Sequence, residues 1–106
     1  MLFFTFAPIK TDMEMNDYCW IYITRDPQAG NKLQVAMAID LPQLLRESSG
    51  REVIYYRQFN TTLDAIAHKL LLMNVENETL YYIIRQMNPA MQDLRKDFDT
   101  LTLYNI

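Results

Sequence analysis

The side chains able to do chemistry are few and scattered in this chain. His68 is the only histidine. It stands beside Lys69 with no carboxylate cluster around it in sequence, so it reads as a packing or surface residue rather than a proton carrier. Cys19 is the only cysteine; it cannot form an intrachain disulfide, and within the apolar run YCWIYI it is expected to be a small buried hydrophobe. Asp12, Glu14 and Asp17 are too loosely spaced for a cation site and fit a solvated connector. Tyr22, in WIYI, is expected to pack its ring and to hydrogen-bond through its hydroxyl.

The elements that must position these groups fit one small α+β domain. A length of 106 residues, half of them hydrophobic and 22% charged, allows a single domain with its own core. No run approaches the roughly 20 apolar residues that span a bilayer, and MLFFTFAPI is short for a secretory leader and lacks its basic start. A cytoplasmic protein with no membrane partner is the expectation, and Met13 or Met15 offers an alternative natural start. The net charge is -3 and the isoelectric point about 5.0. Affinity for duplex DNA comes mainly from cations set against phosphates, so this balance argues against tight nucleic-acid binding.

Residues 18–24 and LQVAMAI are two β-rich runs joined by RDPQAGN, a hairpin with a long loop. Asp40 is an N-cap for a short helix from Leu41 to about Glu47, with Pro42 tolerated in its first turn. Residues 52–59, EVIYYRQF, form a third strand. Thr61 and Asp64 make a capping-box-like start to a helix, on which Leu63, Ile66, Ala67, Leu70 and Met73 share one apolar face. A third helix spans about Asn77–Met87 with Leu80, Ile83, Ile84 and Met87 as its buried stripe. It stops before Pro89, which is expected to open a last short helix carrying Met91 and Leu94. LFFTFA and TLTLYN alternate like strands, so the two ends are expected to extend the sheet or to pair across a two-fold dimer interface.

This order, β-β-α-β-α-α over Tyr18 to Leu94, resembles the GIY-YIG nuclease superfamily, and in particular its small single-domain members related to the nuclease domain of the DNA-repair excinuclease. The motifs that carry the resemblance are the YY of the third strand, the AIA of the following helix, and NP followed after three residues by DL. The division implied is an amino-terminal extension over 1–17, a GIY-YIG-like domain over 18–94 and a tail over 95–106. The first motif tyrosine falls on Tyr22. The second motif falls on Gln34, Val35 and Ala36, the phosphate-binding arginine on Leu44, a common histidine on Ser48, and the metal-binding glutamate on Lys69. Asn88 and Asp93 keep the family's residues, while MNVENETLYY replaces a basic stretch.

The resemblance implies phosphodiester hydrolysis, in which a tyrosine helps activate water, an arginine stabilises the phosphoryl charge and a carboxylate holds one divalent metal. Gln34 has no proton to titrate near neutral pH, and Leu44 cannot stabilise an anion. Lys69 would repel Mg²⁺. No catalytic residue, cofactor or metal is therefore expected; Mg²⁺ belongs only to the alternative of a divergent nuclease, for which Arg46 would be the nearest helical arginine. Two residues on a helix lie about 200° apart, so Arg46 would point away from the Leu44 position. The expected function is an inactive GIY-YIG-like module for protein interaction or self-association. Non-cleaving nucleic-acid binding is the runner-up, weakened by two basic against four acidic residues over 61–94. The seven Met and twelve Phe and Tyr residues are expected mainly in the core, or in a partner-binding patch. On this correspondence Gln34 and Lys69 should share one side of the sheet, near Tyr22.

Overall fold

The computed structural model describes residues 18–47 and 50–98. The terminal strands expected at both ends, the acidic connector and Ser48 lie outside them. The elements are β1 (Cys19–Asp26), β2 (Lys32–Ala38), α1 (Leu41–Glu47), β3 (Glu52–Phe59), α2 (Thr62–Asn74) and α3 (Asn77–Met87). The expected order β-β-α-β-α-α and the α+β class are what the chain adopts.

Local chemistry sets the boundaries. The hairpin loop is a single 3₁₀ turn over Pro27–Ala29, capped by the Asp26 carboxylate, which accepts from the Gln28 amide at 3.0 Å. Gly30 follows at φ 71, a left-handed conformation that costs a residue without a Cβ little. Asp40 caps α1 by accepting from the Gln43 amide at 3.2 Å, and the Thr61 hydroxyl caps α2 by accepting from the Asp64 amide at 3.1 Å. Each cap satisfies an amide that the first helical turn would otherwise leave without a partner.

The sheet is antiparallel with strand order β2-β1-β3. Side chains alternate across it, so Cys19, Ile21 and Ile23 of central β1 point to one face, and Trp20, Tyr22 and Thr24 to the other. The first face carries the main core: Ile54 and Tyr55 of β3, Ala65 and Leu72 of α2, and Leu80 and Ile84 of α3 pack with those three β1 residues. On the second face lie α1, whose Leu41 is fully buried, and a helical turn at 95–98 that brings Phe98 against Trp20 and Tyr56, at ring separations of 5.7 and 4.7 Å. The domain is therefore three layers, with helices on both sides of the sheet.

Two expectations about helices change. Residues 89–94 are not helical: Met91 takes a left-handed backbone at φ 55, and the Asn88 side chain bonds both main-chain groups of Gln92, closing a loop instead of opening a helix. On α2 the face turned to the sheet carries Ala65 and Leu72, while Leu63, Ile66, Leu70 and Met73 stand outward and exposed. On α3 the expected stripe holds for Leu80 and Ile84, with Ile83 half-buried and Met87 exposed.

Candidate functional site at the Tyr22 cleft

The Tyr22 face of the sheet, covered in part by α1, leaves a cleft of about 340 Å³. Strand alternation brings Tyr22 and Thr24 from β1 beside Gln34 and Ala36 of β2, which are their ladder partners. Leu44 and Leu45 of α1 form the opposite wall, and Val53 and Arg51 close the β3 side. Tyr22, Gln34 and Leu44, three positions singled out in the sequence, thus line one space.

Arg51 joins them, and no sequence motif points to it. It precedes β3 after the SSG turn, and only the pairing of Glu52 with Arg25 carries it to the cleft, a register that no local pattern encodes. Its Nη1 donates to Gln34 Oε1, and its Nε lies 3.9 Å from an Asp26 carboxylate oxygen. Burial pushes the Tyr22 hydroxyl above its ordinary pKa of 10.0, and the Arg51 charge pulls in the opposite direction without cancelling the rise. Tyr22 is therefore neutral at physiological pH. The cleft can offer hydroxyl, amide and guanidinium hydrogen bonds, but among the described residues no carboxylate lines it. Among the described residues no three His, Cys, Asp or Glu side chains come together to hold a metal.

Lys69 does not join this site. A helix advances about 100° per residue, which sets Lys69 about 40° from Ala65, at the edge of the side that α2 turns to the core, where it is half-buried. Gln34 and Lys69 lie on opposite sides of the sheet, so the correspondence drawn through the AIA triplet does not hold in space. The rotation of α2 follows from its packing: Ala65, His68 and Leu72 settle on the sheet, and Lys69 goes with them. Arg46, the alternative arginine, lines a separate hollow beside Asp93, Lys96 and Phe98.

The kept pair Asn88 and Asp93 has structural work. Between Ile23 and Thr24 the β1–β3 register slips, because Ile23 pairs with Tyr55 and Thr24 with Val53, leaving Ile54 as the extra residue of a bulge. The buried Asn88 donates from Nδ2 to the Ile54 carbonyl at 3.0 Å. Asp93 accepts from the Val53 amide at 3.2 Å, and the Leu94 amide donates to the Val53 carbonyl at 2.7 Å. The NPAMQDL segment is a clasp on the bulged end of β3.

His68 and Cys19 also have packing roles. His68 shares a 2.8 Å hydrogen bond with the Tyr55 hydroxyl, stacks on that ring and meets Phe59. Burial lowers its pKa, and the nearby Arg57 charge lowers it further. Cys19 is buried in the main core. No helix of the described residues is long and apolar enough to cross a membrane. No protein-family model, curated protein or solved structure matches this chain.

Proposed function

We propose that this chain is a GIY-YIG-like domain without nuclease chemistry that works as an association module for protein surfaces. One observation carries the reading: α2 is apolar on both sides, and only one side is covered. Ala65 and Leu72 meet the sheet, while Leu63, Leu70 and Met73 are 76%, 54% and 58% exposed. A helix that is apolar all round belongs inside a larger packed body, and an exposed apolar patch of this kind marks an interaction surface. The β2-β1-β3 sheet with its element order supports the family resemblance. The Tyr22 cleft supports the loss of catalysis, since amide and leucine stand where a base and an anion stabiliser would be needed.

The test is incubation of the protein with supercoiled, branched and single-stranded DNA in Mg²⁺ or Mn²⁺. Intact substrates are expected. Cleavage that disappears in Tyr22→Phe would overturn the reading. A second reading, nucleic-acid binding without cleavage, draws on Arg51 at the cleft; it would be favoured by duplex binding that Arg51→Gln removes.

A further inference from the structure

We infer that the Tyr22 cleft is a binding site for a small monocarboxylate with an apolar body, its carboxylate held by Arg51 and its body lying against α1. This is independent of the association reading and gives the cleft a ligand of its own. At about 340 Å³ the cleft is at the small end of the range in which proteins enclose small molecules. Its polar groups are Tyr22, Thr24, Gln34 and Arg51, and its walls are Ala36, Leu44, Leu45 and Val53. The Arg51 guanidinium donates to Gln34 Oε1, which leaves the Gln34 amide nitrogen as a donor. Among the described residues no hydrogen bond engages the Tyr22 or Thr24 hydroxyl.

Every polar side chain of the cleft can therefore donate, and among the described residues no carboxylate lines it, so the ligand must bring the acceptors. Arg51 fixes the charge. Its Nε lies 3.9 Å from an Asp26 carboxylate oxygen and its Nη1 is bonded to Gln34, which leaves Nη2 and the second Nη1 hydrogen to meet the two oxygens of a carboxylate. The guanidinium is already partly balanced by Asp26, so its remaining field suits a monoanion, whereas a phosphate dianion would be repelled by that carboxylate. The leucines decide the rest of the ligand. Leu44 and Leu45 are half-buried and Val53 is fully buried. A sugar phosphate laid there would strand its hydroxyls against carbon, and a ring or a branched alkyl chain would cover the same carbon surface from water.

Heteronuclear NMR of the full chain titrated with benzoate tests this. Ring-current shifts should appear at the Leu44 and Leu45 methyls and saturate with a dissociation constant in the millimolar range, in keeping with the few contacts that one ring can make. Acetate, which lacks the apolar body, and benzamide, which lacks the charge, should each bind about tenfold more weakly or worse. Arg51→Gln should weaken benzoate about tenfold or more. Thr24→Val, which keeps Arg51 and its bonds in place, should weaken it severalfold, and both variants should otherwise keep the wild-type amide spectrum. Benzoate shifts that do not saturate, that acetate or benzamide reproduces at the same concentration, or that persist unchanged in both variants would overturn the proposal. Inorganic phosphate binding at least as tightly as benzoate would also overturn it, and would assign the cleft to phosphate groups as the nucleic-acid reading requires.

Discussion

The Asn88 side chain reaches the Ile54 carbonyl at 3.0 Å across a sequence separation of 34 residues. It fills a hydrogen bond at the residue that the β-bulge adds. The same amide donates to the Gln92 carbonyl at 2.8 Å, and its oxygen accepts from the Gln92 amide at 3.1 Å. A bulge is stable only where its displaced main-chain groups find partners elsewhere.

Asn88→Ala is therefore expected to destabilise the fold by about 1–3 kcal/mol, the cost of leaving a buried acceptor without a donor. Urea unfolding followed by tryptophan fluorescence measures it, Trp20 being the only tryptophan. An unchanged midpoint would mean that water replaces the amide and that the clasp is dispensable.

Arg51→Gln should raise the pKa of Tyr22 further. Burial already pushes that hydroxyl up, and the Arg51 charge is what opposes the rise. Ultraviolet titration of the variant against wild type, with Tyr22→Phe identifying the signal, gives the shift. An unchanged Tyr22 pKa would place the guanidinium elsewhere in solution.

His68 should titrate below its ordinary 6.5, through burial first and the Arg57 charge second. With a folded pKa below the unfolded one, its contribution to stability is full above about pH 6.5 and fades as pH falls toward the folded value. Arg57→Gln should move the imidazole back up. Proton NMR of the single histidine reads both numbers directly, and a wild-type value at or above 6.5 would contradict the packed arrangement with Tyr55.

Alkaline pH should weaken the fold. Burial, the hydrogen bond that Tyr56 donates to Asp97 at 3.0 Å and the Asp97 charge together push Tyr56 up to about 12 from 10.0. A raised folded pKa gives stability that is complete below about pH 10 and is lost as pH climbs toward 12. Asp97→Asn should lower the Tyr56 pKa and reduce this loss. Thermal melts from about pH 8 to about pH 12, which bracket the tyrosine range, show whether the loss occurs.

The strands and caps are legible in the sequence because each carries its own local signal. RDPQAGN must turn, Asp40 and Thr61 put side-chain oxygens just ahead of helical runs, and EVIYYRQF is β-rich throughout. The orientation of α2 is not legible, for a physical reason. Its apolar residues surround it, so periodicity finds the stripe through Leu63, Ile66, Leu70 and Met73 as readily as the one through Ala65 and Leu72. Only the shape of the sheet decides between them, and the small Ala65 and the half-buried His68 fit against Tyr55 and Phe59. The same rotation takes Lys69 away from its expected place. Arg51 is invisible because strand register, not spacing, brings it to Tyr22. Asn88 and Asp93 are singled out only through the resemblance, and the work they do in the structure is to hold the main chain of β3.

The clasp also sets a timetable for synthesis. The three strands of the described residues are complete at Phe59, yet β3 at Val53 is engaged by Asp93, 40 residues later. A ribosome adding 5–20 residues per second needs roughly 2–8 s to make that stretch. During this interval the nascent sheet carries an open edge while α2 is emerging with its core-facing side still uncovered by α3. Slow decoding between codons 60 and 93 would lengthen the exposure, and rapid decoding there would favour soluble product.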